Sequence, residues 1–328
     1  MPANIYIDQN RKVHVASSLP MWHELVPQEA KPLSVLDMTA KAGISDLRYV
    51  VETCEAHGFK NDNAVLICEK HSGAILQMAG IGYNCAPVSS LIERAHEIQN
   101  ALHLSPESCV TAGVLGGNIP GTVWMQLATG TTTIHGLDIA RFITVSNSWN
   151  GTSKYTVMSG HTAIVCQNTF NMAQAFDTRA SVKNTKNRDI NLDNQIAANM
   201  PDLASTIADY RAQDSATLAT LQMWGEKKIT RADVDAFLEF IAPNRARKVA
   251  ELSPATREMR DQLEHALIAS PGIRDVPPMT ALWLWMAFTW WVSWMQKTRD
   301  GQARPTNDLF GVGQDSRDKM RVWLNALP

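Results

Sequence analysis

Apolar runs in the first half of this 328-residue chain come in pairs, and a short turn sequence separates the members of each pair. The pairs are residues 64–69 with 74–78, 108–115 with 122–128, and 139–147 with 152–158. The last pair flanks Asn150-Gly151, the strongest two-residue hairpin signal because both positions tolerate positive φ. Consecutive hairpins predict an antiparallel meander rather than a doubly wound parallel sheet.

Helical spacing of apolar residues occurs both between these runs and after them. It predicts a helix over residues 88–102, with an N-cap at Ser89 or Ser90, and another over residues 162–176. From residue 191 onward only helices are predicted, with Thr230 and Ser253 as N-caps and a last helix over residues 316–327. The predicted fold class is α+β: an antiparallel sheet with crossing helices in the N-terminal half, and an all-helical C-terminal half. The predicted organisation is an α+β domain at 1–178, a basic polar linker at 179–190 and a helical region at 191–328 that packs on the domain.

Residues 276–296 form an uncharged stretch of 21 residues that contains five tryptophans. The stretch is long enough to span a bilayer. However, it begins with Pro277-Pro278, and its tryptophans are spread through the middle rather than at two interfacial belts. We therefore predict a buried helix and no membrane segment. Because such a helix is apolar all round, we expect a homo-oligomer whose interface includes part of residues 279–295.

Composition and spacing exclude several chemistries. A net charge of −2 excludes a globally basic nucleic-acid binder, though not a local basic patch. The histidines lack ligand spacing, the five cysteines lack a Cys-x-x-Cys pair, and no phosphate-binding glycine loop occurs. A Cys–His nucleophile would need Cys166 beside His161 or His135, but Cys166 lies in an apolar stretch where an inert thiol is the usual state. We expect no metal, no cofactor and no catalytic residue.

The N-terminal sequence lacks an apolar segment behind a basic one, so we expect no secretory signal. Together with unpaired cysteines, this favours a reducing cytoplasm, here that of a bacterial cell.

Four cations stand close together in the predicted linker. Arg179, Lys183, Lys186 and Arg188 have no carboxylate between Asp177 and Asp189. A solvated surface loop and a contact with a phosphate backbone are both consistent with this pattern.

The polar hairpin of residues 146–155 leads into Cys166-Gln167-Asn168-Thr169, which we predict as the start of a helix. The amides of Gln167 and Asn168, set in an apolar stretch, need hydrogen-bond partners because an unpaired buried amide costs about 1–3 kcal/mol. Two alternatives remain open. The amides fix the register of the hairpin, or the hairpin and helix together form a polar groove.

These two motifs resemble the phage/plasmid-like protein family, which is catalogued as a domain of unknown function. Its members carry a similar Asn-Ser-His-Asp-Gly-Ser-Ser hairpin and a Val-Cys-x-Asn-Thr motif. The resemblance also includes Trp22-His23-Glu24-Leu25, residues 280–289 and residues 309–319. At Trp149 and Asn150 the chain departs from the family, whose members often carry His and Asp there. The resemblance implies a phage, prophage or plasmid protein of a bacterial cytoplasm, and it implies no activity.

The leading hypothesis is a non-enzymatic nucleic-acid-binding protein, with single-stranded DNA favoured, that acts in recombination by binding or annealing strands. The predicted layout is broadly similar to that of single-strand annealing proteins of the Rec-T type. Trp149 and Tyr155 are candidate stacking rings, although Trp149 is equally consistent with hairpin packing. The candidate binding residues are Asn147, Trp149, Asn150, Lys154, Tyr155, Arg179, Lys183, Lys186 and Arg188. The alternatives are a host-takeover or regulatory protein that binds a partner protein through the Trp-rich helix, and an enzyme whose site is assembled from scattered residues.

Overall fold

The computed structural model describes residues 5–18, 28–56, 58–81, 83, 86–116, 119–151, 155–163, 168–170, 180–182, 203–243, 253–295 and 312–327. The strands are β1 Val15–Ser17, β2 Tyr49–Ala56, β3 Phe59–Glu69, β4 Ile75–Gly80, β5 Cys109–Leu115, β6 Thr122–Ile134, β7 Leu137–Ser148, β8 Tyr155–Ala163, β9 Asn168–Phe170 and β10 Ala180–Val182. The α-helices are α1 Val35–Lys41, α2 Val88–Ala101, α3 Leu203–Glu226, α4 Arg231–Ile241, α5 Pro254–Ala269, α6 Ala281–Trp290 and α7 Val312–Ala326. A 3-10 turn at Pro271–Arg274 precedes α6, and a π-helix at Trp291–Met295 continues it.

The described strands form two antiparallel sheets, which confirms the α+β class and the helical C-terminal half. The larger sheet has the order β1-β5-β6-β7-β8-β10, with β9 also paired to β8, and the smaller sheet has the order β2-β3-β4. All three predicted hairpins are present. In the third hairpin, β7 ends at Ser148 and the described part of β8 begins at Tyr155. Gly151 does adopt the positive φ, +74°, that the Asn-Gly signal implies.

Two helix predictions need correction. The expected helix over residues 162–176 is instead extended backbone where the structure describes it, because β8 continues to Ala163 and Asn168–Phe170 pairs with it as β9. The helical spacing of apolar residues there was misleading because strand pairing is a non-local interaction that can override local preference. The second correction concerns α2, whose N-cap is Pro87 with no side-chain cap, rather than Ser89 or Ser90.

The chain divides into two compact units. Unit 1 comprises Met1–Thr129, Phe142–Ser159 and Phe176–Gln213, and unit 2 comprises Gly130–Arg141, Gly160–Ala175 and Asp214–Pro328. The expected organisation, with its linker at residues 179–190, stays a prediction. Helix α3 contributes to both cores, because its Tyr210 is buried in the core of unit 1 and its Trp224 in the core of unit 2. Within residues 179–190, the structure describes the strand β10.

The core of unit 1 forms where helices α1 and α2 pack on the larger sheet. Met38 of α1, Ile98 of α2, and Val114 and Met125 of the sheet are almost completely buried there. Apolar side chains at helical spacing in α2, and the mostly apolar sequence of β5, whose seven residues are all buried, explain why these elements are enclosed.

The Trp-rich helix α6 lies in the core of unit 2. From Ala281 to Val292 every side chain is buried except those of Trp283 and Trp290, which are half-buried. Residues of α3, α4, α5 and α7 share this core, so one chain encloses the helix by itself. The apolar character of this helix therefore does not require an interface between subunits. The homo-oligomer and the docking of a partner protein on this helix stay predictions.

Within the described residues, no helix combines the length and the apolar character that crossing a bilayer requires.

Candidate functional site

Trp149, at the end of the β7–β8 hairpin, is a core residue. Its ring is fully buried and stacks on Tyr49 with ring centroids 4.3 Å apart and an interplanar angle of 16°. Its indole Nε1 donates a 2.7 Å hydrogen bond to the carbonyl oxygen of Ala86, and its backbone amide donates to the carbonyl of Gly121. The interpretation of Trp149 as an exposed ring for base stacking is therefore wrong, and the packing alternative is correct.

The polar residues around Trp149 are also held inside unit 1. Asn147 is 2% exposed, and Tyr155 is 5% exposed. Burial raises the pKa of the Tyr155 phenol, although the neighbouring Arg94 guanidinium opposes the rise. Asn150 accepts a 2.5 Å hydrogen bond from the hydroxyl of Ser148. Because Tyr155 is buried, it offers no exposed ring for stacking.

The side-chain amide of Asn150 lies so close to the backbone of residue 121 that only glycine fits there. A Cβ atom on Gly121 would lie 2.1 Å from Nδ2 of Asn150, which is closer than any real Cβ contact. On the other side of the hairpin, Gln77 of β4 donates a 2.9 Å hydrogen bond to the carbonyl oxygen of Trp149. The backbone of Trp149 is thus bonded to two neighbouring segments: its amide donates to the carbonyl of Gly121, and its carbonyl accepts from the side-chain amide of Gln77.

Several of the predicted site residues lie outside the described residues. They are Lys154, Cys166, Gln167, Arg179, Lys183, Lys186 and Arg188. Asn168 and Thr169 lie in strand β9, opposite Ala163 and Thr162 of β8, and not at a helix start. The structure does describe β10, which lies between Arg179 and Lys183 in the sequence. It pairs with β8 so that Ala180 is opposite Val157 and Val182 is opposite Tyr155.

A buried charge cluster, which sequence reasoning missed, connects β7, β8 and α3. Asp214 of α3 accepts a 2.9 Å hydrogen bond from Nη1 of Arg141 on one oxygen, and its other oxygen lies 2.9 Å from Nε2 of His161. His161 is fully buried, and Asp214 is 8% exposed. Burial alone would raise the pKa of Asp214, but the bonds and charges of His161 and Arg141 hold that pKa below its usual value.

The geometry of this cluster orients the imidazole of His161. Asp214 fixes the Nε2 side of the ring, while Nδ1 has no hydrogen-bond partner among the residues that the structure describes. Arg141 lies against Gly130, where an added Cβ atom would be 2.9 Å from Nη2. The carboxylate of Asp214 thus bridges the guanidinium of Arg141 and the imidazole of His161. Removing any one of the three side chains would leave the others without that partner, which destabilises the fold.

Only a weak sequence signal could have indicated the cluster. Arg141 stands in the apolar run of β7, where a charge needs a partner, but Asp214 is 73 residues away and His161 is 53 residues from Asp214. The sequence alone suggests Cys166 as a partner for His161 and gives no indication of Asp214.

The described cysteines show no sign of reactivity. Cys54, Cys68 and Cys109 are free thiols, and burial raises the pKa of Cys109 to about 12, so its thiolate is scarce at neutral pH. Within the part of the chain that the structure describes, no three His, Cys, Asp or Glu side chains are grouped as metal ligands would be.

A family model described as Domain of unknown function (DUF932) matches residues 76–318 of the chain. The chain belongs to this family. The region that matches DUF932 contains the β7–β8 hairpin, the charge cluster and the Trp-rich helix, whereas α1, β2 and β3 precede it. The comparison with curated proteins and the comparison with solved structures each returned no match.

Proposed function

We propose that this DUF932 protein is a non-enzymatic nucleic-acid-binding protein of phage or plasmid origin. Its favoured ligand is single-stranded DNA, and its role is to bind or anneal strands during recombination in a bacterial cytoplasm. The origin and the compartment rest on the family resemblance. The recombination role rests on the broad similarity of the predicted layout to single-strand annealing proteins of the Rec-T type. The binding function rests on the basic residues of the chain.

The observation that carries the proposal is the pairing of β10 with β8. Val182 is opposite Tyr155 in an antiparallel register. Lys183 follows Val182 directly, and Lys154 directly precedes Tyr155. In an antiparallel pair the start of β8 and the end of β10 are at the same end of the two strands. This register supports the proposal that the cations next to Tyr155 and Val182 in the sequence contribute to one binding surface.

The chemistry of such a surface suits the phosphate backbone rather than the bases. Trp149 and Tyr155 are buried, so the described hairpin residues supply no stacking ring. Cations that contact phosphates release counterions and bind all sequences with similar affinity. Binding of this kind needs no reacting group.

The test is the salt dependence of binding to a fluorescent oligothymidylate, measured by anisotropy. Each backbone contact contributes about −0.7 to the slope of log K against log salt on single strands. The triple variant Lys183→Ala, Lys186→Ala, Arg188→Ala should therefore flatten the slope by about 2 units, and it should weaken binding similarly for all sequences.

A matched control removes three other cations of unit 1. Lys31, Lys41 and Lys60 are more than half exposed, and each is paired with a carboxylate on the protein surface. Changing these three residues to Ala makes the same change in net charge and should leave the slope close to that of the parent. Equal slopes for the parent and the 183–188 variant, both folded, would contradict the proposal, and so would equal flattening by the two triple variants.

A further inference from the structure

Strand β4 is an edge strand without a charged residue. It is the last strand of the β2-β3-β4 sheet, and no charged side chain occurs from residue 72 to residue 83. Its large apolar side chains are unusually exposed: Ile75 is 54% exposed and Met78 is 65% exposed. Proteins normally protect such an edge with charges, proline or a covering element, because an uncharged edge invites another strand to pair with it.

The backbone of β4 has hydrogen-bonding groups that point away from β3. The backbone amide of Ile81 donates to the carbonyl oxygen of Asn63 on β3. In an antiparallel pair, the backbone groups of successive residues point alternately toward and away from the partner strand. Those of Met78, three residues before Ile81, therefore point away from β3. At the other end of β4, the backbone amide of Glu69 donates to the carbonyl oxygen of Ala74. By the same alternation, the amide and carbonyl of the next residue, Ile75, point away from β3. No described backbone group outside β3 bonds to Ile75 or Met78. The carbonyl of Gly80 is already bonded to the amide of Tyr83, so the free part of the edge is centred on residues 75–78.

The exposed side chains of β4 lie on one face of the sheet. Met78 is opposite Leu66, and Ile75 is opposite Cys68, two residues further along β3. Since alternate residues of a strand share a face, Ile75 and Met78 are on the same side. An irregularity in the register between Ile67 and Cys68 produces this spacing of three residues.

The opposite edge of the sheet is protected. Strand β2 carries Glu52 and Glu55, both exposed. Two copies of β2 paired with each other would bring four carboxylates together, which is unfavourable. Two copies of β4 paired with each other would bring no charges together.

We infer that two copies of the chain associate by antiparallel pairing of β4 with β4, which joins the two three-stranded sheets into one of six strands. The two-fold axis runs perpendicular to the sheet, so Ile75 and Met78 of both copies lie on the same face and cover one another. A second copy is the occupant because it presents an equally uncharged strand, whose outward backbone groups have no partner among the described residues. Growth stops at two copies because the remaining edges carry Glu52 and Glu55. This inference does not depend on the proposed binding of nucleic acid.

The test is the mass in solution of the full chain and of two edge variants, measured by sedimentation equilibrium at micromolar concentration. The parent should sediment at twice its chain mass of 36.2 kDa. Met78→Lys and Ile75→Lys each place like charges across the two-fold axis, so both should sediment as monomers. The matched control is Val51→Lys on the β2 edge, which adds the same charge at a side chain that is 45% exposed and should remain a dimer. Circular dichroism of each variant verifies that it is folded.

A second measurement locates the interface. The amide hydrogens of Ile75 and Met78 should exchange with solvent more slowly at high than at low protein concentration, because pairing protects them. A monomeric parent would overturn the inference. A dimer that both β4 variants retain, or one that the Val51→Lys control also abolishes, would overturn it equally, as would exchange at Met78 that is independent of concentration.

Discussion

Replacing Trp149 distinguishes its two interpretations, a core residue and a base-stacking ring. The side chain is fully buried, stacks on Tyr49 at 4.3 Å and donates a hydrogen bond to Ala86. Trp149→Ala should therefore lower the free energy of unfolding by about 3–5 kcal/mol, the usual cost of removing a large buried aromatic side chain. Trp149→Phe keeps a ring against Tyr49 but leaves the Ala86 carbonyl without its donor, and should cost about 1–3 kcal/mol.

The assay is urea unfolding followed by far-UV circular dichroism, with binding to single-stranded DNA measured on the same samples. Phe59→Ala is the matched control, because this ring is 81% exposed at the β2–β3 turn. Its removal should change the free energy of unfolding by about 0.5 kcal/mol or less. If Trp149→Ala unfolded at the same urea concentration as the parent while it lost DNA affinity, Trp149 would be an exposed stacking residue and the packing argument would be refuted.

Two further predictions concern stability. Asp214→Asn should destabilise the fold by about 3–5 kcal/mol at neutral pH, because it leaves Arg141 and His161 without their shared carboxylate. Since the pKa of Asp214 is lowered in the folded state, its contribution is present above the unfolded pKa of about 3.9 and is lost as pH falls through the folded value. Urea unfolding of this variant across acid pH should accordingly show a flatter loss of stability than the parent, and an unchanged profile would contradict the role of the cluster. Thr230→Ala should cost about 1 kcal/mol by removing the capping box with Asp233 at the start of α4, whereas Thr230→Ser should retain most of it; equal melting of the two variants would speak against the cap.

Local signals in the sequence predicted the elements that depend on local interactions. Thr230 and Ser253 cap their helices as expected, and each hairpin lies between the expected runs. Capping and turn formation involve residues a few positions apart, so the responsible side chains are visible in a short window of sequence.

Features that depend on distant contacts could not be predicted in this way. Strands β9 and β10 are three residues long and form only because β8 offers a partner edge. Asn150-Gly151 correctly indicated a turn, but nothing in the turn sequence indicates that Tyr49 and Ala86 enclose the neighbouring Trp149. The burial of the Trp-rich helix by its own unit likewise depends on helices that are far away in sequence.

The central claim, that the basic segment beside the β8–β10 pair binds the backbone of single-stranded DNA, is tested most directly by cross-linking. Formaldehyde joins lysine amines to bound DNA, and peptide mapping then identifies the lysines. We predict cross-links at Lys154, Lys183 and Lys186 that disappear at high salt, and none at Lys60, which is paired with Asp62 on the β2–β3 hairpin. Cross-links that spare residues 154–186 and occur elsewhere, or the absence of any cross-link at low salt, would contradict the account.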